Sequence, residues 1–598
     1  MRQRCTRVAV AALFAACGFA VSAQAQEYDR LVVFGDSLSD NGNLYAAIAT
    51  PASPPYWNGR FSDGPVFAEL LGFSMTGYGT TAGSVNYAFG GARTDGLLPF
   101  PYGIGQQVTD YMSFGGTFGA NDLVSLWGGA NNLFQGLAGA IATPDPAAAF
   151  AAVPTAAAGD MSAITATVAG AGAGTILVSN LPRLSTTPQF NGSGAEALVD
   201  HGARTFNTAL LAGLQTVAAG APNTNIIYVD VFKATDAFAA APDRFGVTNA
   251  TDACFNGITV CANPEAYFYF DGVHPTSTGH ALLAALATDY MYYGDLGAPT
   301  GVQGEFALLN RHDSLEMATG HLGARDGWSS GTNISVGAFG RTSTTDARGV
   351  VAEAEAEGYG LRMALESGPS DNLRLGVGGG VSISEVDVGA LSFEAESFGL
   401  DAWAGWRSDA WFVVASAGWS RDSFDNIERM TALSPLMHRG HTKGHSLGAR
   451  LQAGMWFDMG GVALSPRAAL TWVSSDVDGY VEQGAAATQA IGDRSIDAAS
   501  GEIALRAEMG MGDRSSFYLE GGYRDQFSYD ADRVAVGLTN NTAQVLYTDL
   551  DDPFGSGALL NAGLQMQMTE RLSLSAGYRG RFGDTDSHQG GVALRLAF

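Results

Sequence analysis

The chain has 598 residues, too many for one ordinary hydrophobic core, so two or three domains are expected. With 59 acidic against 32 basic side chains it carries a formal charge of −27, and such a chain repels nucleic acid and anionic lipid headgroups. No basic cluster and no zinc-finger spacing argues the other way.

Residues 1–25 read as a secretory signal peptide. Arg2, Arg4 and Arg7 make a basic start, an apolar run from Val8 to Val21 follows, and Ala23-Gln24-Ala25 supplies small residues before a cleavage point. The run is too short and too rich in alanine for a spanning helix. Acylation of Cys17 is the alternative, disfavoured by Phe14 standing where a lipoprotein signal has leucine. Loss of three arginines and no acid takes the charge from −27 to about −30. Cys5 and Cys17 leave with the signal, and Cys254 and Cys261 remain. An even pair in an exported chain is expected to form a small-loop disulfide, and that stretch has too few other ligands for a metal. No later stretch offers ~20 uninterrupted apolar residues, so any membrane domain has to be a barrel.

Residues 26–295 alternate apolar strands with alanine-rich helical segments. Leu31 to Phe34, Leu123 to Trp127, Thr175 to Ser179 and Ile226 to Val231 read as buried strands; 146–173 and 195–219 read as helical. This alternation predicts an α/β domain with a parallel sheet, whose binding residues sit on loops at the carboxyl ends of its strands.

The strand ending at Phe34 runs into Gly35-Asp36-Ser37-Leu38, which presents a serine hydroxyl at the mouth of the sheet. That hydroxyl is a weak nucleophile until a base takes its proton. Phe270-Asp271-Gly272-Val273-His274 comes late in the same domain. Asp271 and His274, three apart in a turn, can lie on one side, the carboxylate orienting the imidazole while its other nitrogen faces Ser37. A lone aspartate–histidine pair is usually structural; the order serine, aspartate, histidine in one exported α/β domain is what singles these three out.

Over most of residues 28–290 the sequence resembles the GDSL lipases, or SGNH hydrolases. The resemblance rests on Gly35 to Asn43, on Asn86-Tyr87-Ala88-Phe89-Gly90-Gly91-Ala92, on Trp127-Gly128-Gly129-Ala130-Asn131-Asn132 and on Asp271 to His274. Gly59 to Pro65, Asn180-Leu181-Pro182 and Phe245 to Asn249 also look like family segments. It implies a three-layer α/β fold and carboxylic ester hydrolysis through an acyl-enzyme, with no metal or organic cofactor. Ser37 would be nucleophile, His274 base and Asp271 the acid orienting it. The oxyanion hole would combine the Ser37 N–H, the Gly91 N–H and the Asn131 amide, fixed donors for the charge that builds on the carbonyl oxygen. Gly90 is the alternative to Gly91, less favoured by its spacing from Asn86. Asn132 departs from the family, which has aspartate there. Gly119-Ala120-Asn121-Asp122 fits the letter of that block better, but Asn131 follows the apolar strand and Asn121 precedes it. Ser39, Asp40 and Asn43 are expected to stabilise the loop, and His280 to face a helix.

Residues 296–329 link this domain to the next, and Glu305 to Arg325 can form a helix about 30 Å long, suited to plugging a barrel lumen. Residues 330–598 change to period two. Leu373, Leu375, Val377, Val381 and Ile383 share a parity, as do Phe398 to Trp406 and Trp411 to Trp419. Seven of nine tryptophans lie beyond residue 325, as aromatic girdles require. At ~22 residues per strand and turn the segment makes an all-β transmembrane barrel of about twelve strands. Val592, Leu594, Leu596 and Phe598 close it on one face; a soluble β-sandwich would not need a last strand flush with the chain end. His438, His441 and His445 are expected in a polar turn without acidic partners, hence not a metal site. This half resembles the translocator domain of autotransporters, and the whole a GDSL esterase displayed by its own barrel. That implies an ester or lipid substrate, outer-membrane lipid and the assembly machinery as partners, and a monomer at the cell surface. Three other classes compete: a catalytically silent adhesin, a sugar O-acetyl esterase with the same triad, and a subtilisin-like protease, whose serine would follow its aspartate and histidine.

Overall fold

In the computed structural model, residues 27–325, 328 and 331–598 are described; the expected signal peptide lies outside them. The N-terminal domain is organised by six parallel strands: β1 (Arg30–Gly35), β2 (Met75–Thr76), β3 (Ser84–Asn86), β4 (Asp122–Trp127), β5 (Thr175–Ser179) and β6 (Asn225–Val229). Their order across the sheet is β2-β3-β1-β4-β5-β6. Alternate residues of β1 enter different cores. Leu31 and Val33 pack under helices Val231–Ala240 and Ser277–Met291, whereas Val32 and Phe34 pack against Ile104–Ser113, Val153–Gly170 and Glu196–Gly220. The sheet is therefore covered on both faces, which is why its strands read as unbroken apolar runs. From β1 the chain runs to the edge strand β2, returns through β3 beside β1, and then crosses to β4 on the other side of β1. Such a reversal opens a crevice at the carboxyl ends of the adjoining strands.

Among the described residues, twelve long antiparallel strands form the C-terminal barrel, from Gly331–Thr345 to Thr585–Ala597. Those two pair with each other, Ala338 opposite Val592, and close it. Its apolar parity faces out: Val377, Val381, Phe398, Leu400, Trp406, Trp411 and the terminal Val592, Leu594, Leu596 and Phe598 are all exposed. The opposite parity carries buried polar groups such as Arg374, Ser384, Asp401 and Arg450. Apolar outside and polar inside is the pattern lipid imposes.

A helix, Val302–Thr319, continues as a 3-10 turn over Gly320–Gly323; it starts three residues earlier than expected, and its α-helical part ends at Thr319, short of Arg325. All its residues except Ser314 and Met317 are buried. Its partners lie on strands around the whole circumference: Asn310 with Arg341, Ser314 with Arg362, Arg311 with Asp401, Gln303 with Arg494, and Asp313 and Glu316 with Arg581. A helix that touches opposite walls at once is inside the lumen.

His438, His441 and His445 correct the sequence reading. They lie within the strand Met437–Met455 rather than in a turn. Two have acidic neighbours, His438 Nδ1 at 3.2 Å from Glu482 and His445 Nε2 at 3.3 Å from Asp476. The segment looked like a turn because this part of the strand is polar on both sides: His438 is buried, whereas His441 and His445 are exposed.

Candidate active site

The carboxyl end of β1 is held by Gln107, which was not visible from the sequence. Its buried amide accepts from the Gly35 N–H and donates to the Gly35 carbonyl, both at 2.9 Å. A side chain at Gly35 would meet the Trp127 carbonyl at 2.8 Å, so the strand can turn here only as glycine. The turn is closed by Ser39 and Asp40 N–H groups donating to the Asp36 carbonyl, both at 3.0 Å. Ser37 is left at the crevice, 9% exposed.

Ser37 Oγ lies 2.8 Å from His274 Nε2, and His274 Nδ1 lies 2.7 and 2.9 Å from the two oxygens of Asp271. The turn 271–274 is held by its own carboxylate: Asp271 Oδ1 accepts from the Val273 and His274 N–H groups at 2.9 and 2.8 Å. Tyr56, a residue the sequence did not single out, donates its hydroxyl to Asp271 Oδ2 at 2.7 Å. Burial by itself would raise the Asp271 carboxyl; the facing imidazole and the hydrogen bonds from His274 and Tyr56 hold it well below the usual carboxylate range. Phe61 lies across the imidazole, ring centroids 4.9 Å apart.

Besides the Ser37 N–H, the donors suggested for the oxyanion come from the segments after β3 and β4. Gly91 has φ +78°, a left-handed conformation that suits glycine. The Gly90 N–H is taken by Asp40 Oδ2 at 2.8 Å, whereas among the described residues no acceptor faces the N–H of Ser37 or Gly91. Asp40 also accepts from Gly42, Asn43 and Leu44, so one buried carboxylate ties the serine loop to the glycine loop. Burial pushes it up to about 6 despite those donors. Asn131, in the first turn of the helix Ala130–Ile141, points its amide nitrogen at the Ala92 carbonyl, 3.0 Å, and at Asp36 Oδ2, 3.4 Å. Burial likewise pushes the Asp36 carboxyl up to about 6. Asn132 is buried and bonds Thr94 twice, through its N–H at 3.0 Å and its hydroxyl at 2.9 Å. Asparagine in place of the family's aspartate thus secures the loop beside Gly91.

The remaining sequence candidates have other duties. Asp122 pairs with Arg30 at 2.7 Å and Asn121 is exposed beside it, at the amino end of β4, opposite the crevice. His280 is buried in a helix, accepts the Phe67 N–H at 3.2 Å, and is pushed down to about 3 by burial. The Cys254 and Cys261 sulfurs are bonded, closing a loop of sequence separation 7. Of groupings able to offer a metal three ligands, the described residues hold His312, Asp313 and Glu316 in the lumen. Arg581 contacts all three and Arg579 and Arg450 face Glu316, so a cation would meet guanidinium groups.

A serine hydroxyl, an imidazole and a carboxylate in hydrogen-bonded series, with unspent donors beside the hydroxyl, can split an acyl transfer into two steps. Both halves of the chain are similar to known proteins. Residues 31–287 match the family model for GDSL-like lipase/acylhydrolases, and residues 334–579 that for autotransporter β-domains. Esterase EstA of Pseudomonas aeruginosa is 25% identical over 99% of this chain and 100% of its own length. Phosphatidylcholine-sterol acyltransferase of Aeromonas hydrophila is 27% identical, covering 44% of this chain and 90% of its own. The translocator domain of autotransporter NalP from Neisseria meningitidis aligns with 51% of this chain and 99% of its own at 14% identity and a TM-score of 0.40.

Proposed function

We propose, for a chain that joins a GDSL-like lipase/acylhydrolase domain to an outer-membrane autotransporter β-domain and is a carboxylic ester hydrolase, that hydrolysis runs through an acyl-enzyme on Ser37. His274 Nε2 takes the hydroxyl proton as Ser37 Oγ attacks the ester carbonyl, and passes it to the departing alkoxide. Asp271 keeps the imidazole in the tautomer with its proton on Nδ1 and stabilises the imidazolium that forms. The oxyanion settles among the N–H of Ser37, the N–H of Gly91 and the Asn131 amide, whose weak 3.4 Å contact with Asp36 is the one it gives up. Water, activated by the same imidazole, then releases the acid.

The observation that carries this reading is the unbroken series Ser37–His274–Asp271, with contacts of 2.8 and 2.7 Å. The closed barrel, with its apolar outer belt, supports display at the cell surface by a monomer inserted through the outer-membrane assembly machinery. Whole cells given p-nitrophenyl esters of rising acyl length test the reading, with Ser37→Ala as control. Activity on intact cells that Ser37→Ala abolishes is expected; turnover only after lysis would refute surface display.

A further inference from the structure

Asp271 is engaged by four donors, and three of them come from its own turn: the N–H groups of Val273 and His274 and the imidazole Nδ1. The fourth comes from 215 residues away, the Tyr56 hydroxyl at 2.7 Å on Oδ2, the oxygen that is also 2.7 Å from the imidazole. The Tyr56 ring is set edge-on against three others: Phe61 at 6.0 Å, Phe270 at 5.2 Å and Phe255 at 5.8 Å. Phe255 stacks in turn on Phe270 and belongs to the Cys254–Cys261 loop. The phenol therefore cannot swing away without breaking a packed aromatic box.

We propose that Tyr56 is a positioning residue for ester hydrolysis, acting through Asp271 on the imidazole of His274. The inference rests on the triad reading above. A carboxylate oxygen shared between a phenol and an imidazole gives each a fraction of its charge, so the phenol sets how strongly the carboxylate favours the protonated ring. It also fixes the carboxylate plane, which the two backbone donors on Oδ1 alone leave free to rock. Tyr56 itself stays a donor, since burial and the facing carboxylate push its hydroxyl far above its ordinary range. The other titratable groups facing the imidazole are the buried Asp36 and His280, and neither touches Oδ2.

The test is Tyr56→Phe in the full chain, with rates expressed per active serine from stoichiometric titration by a fluorophosphonate, which removes any loss of folded enzyme from the comparison. Without the phenol more of the carboxylate charge falls on the imidazole, the protonated ring is favoured, and the acid limb of the kcat/KM profile moves to higher pH by roughly half a unit. The turnover number falls about tenfold with KM within about twofold, because the hydroxyl touches no substrate. Phe255→Ala, which loosens the ring but keeps the hydroxyl, falls by less, and the double variant by no more than Tyr56→Phe alone. A Tyr56→Phe enzyme with parental turnover and profile overturns the inference while leaving the triad intact. If His274→Ala and Ser37→Ala retain activity, the triad itself is wrong.

Discussion

The two asparagine motifs offer a sharp trial of where the oxyanion is bound. Asn131 follows β4 at the crevice; Asn121 precedes it, six residues from Trp127, about 20 Å away at ~3.3 Å per residue. No side chain spans that gap. Removing one donor from an oxyanion hole costs about 10²–10³ in kcat, some 3–4 kcal/mol. Asn131→Ala should fall in that range with KM little changed, because the neighbouring loop keeps its own anchor in Asn132. Asn131→Asp should fare worse, since it keeps the shape but sets a second carboxylate beside Asp36 and the developing oxyanion. Asn121→Ala should match the parent. The measurement is steady-state hydrolysis of a p-nitrophenyl ester, normalised by serine titration. An Asn131→Ala enzyme within threefold of the parent, or damage that follows Asn121 instead, would refute the placement of the site at the carboxyl ends of the strands.

Ser37→Ala should lose on the order of 10⁴–10⁶ in kcat while the barrel still inserts; undiminished turnover would remove the nucleophile. Deleting Phe598, whose N–H closes the seam onto the Thr332 carbonyl at 2.9 Å, should reduce the heat-modifiable barrel in outer membranes, and normal assembly would count against its role. The acids of the site titrate in opposite senses. Asp271, held low, contributes stability that is present above about pH 4 and lost as pH falls. Asp36, pushed up to about 6 by burial, does the reverse: the native state keeps a proton the unfolded state releases, so stability drops between about pH 4 and 6, by on the order of 2–3 kcal/mol. Asp36→Asn should flatten the fall in Tm of the N-terminal domain over that window; an unchanged slope in calorimetry would contradict the buried charge.

What was legible in the sequence was whatever is local. Ser37, Asp271 and His274 stand in short segments whose backbone supplies half the site: the turn after β1 presents the serine, and the Asp271 carboxylate folds its own turn around the histidine. Period two identified the barrel, because lipid acts on each residue of each strand separately. Gln107, Asp36 and Tyr56 were not legible, since each works through a partner brought near only by the sheet and its covering loops. Asp40 was read as a loop stabiliser; it also accepts the Gly90 N–H, which leaves Gly91 rather than Gly90 with an N–H that no acceptor among the described residues faces. The lumen helix was foreseen from its length. Its ends were not, because buried ion pairs with the barrel wall, rather than an apolar stripe, hold it.

The joint between the two domains shows why an enzyme of this fold is stable on a barrel. A parallel sheet normally leaves an outer strand with unpaired backbone groups, a risk for association with other chains. Here β6 is one of the two outer strands, and the segment 540–544 of the barrel half covers it. Tyr228 donates its N–H to Thr542 at 3.3 Å and accepts from Asn540 at 2.9 Å, while Gln544 bonds Asn225 at 2.9 Å and the Pro222 carbonyl at 2.6 Å. The buried Asp289 carboxylate caps the N–H groups of Ala432 and Leu433 from another barrel loop, at 2.6 and 3.1 Å. One apolar cluster runs from Leu31 and Val33 of the sheet to Val386, Phe393 and Val534 of the barrel. A cut through the lumen helix would therefore leave an open sheet edge and a severed core, not a finished soluble domain. The same apolar packing that holds the α/β domain together thus also joins it to the barrel.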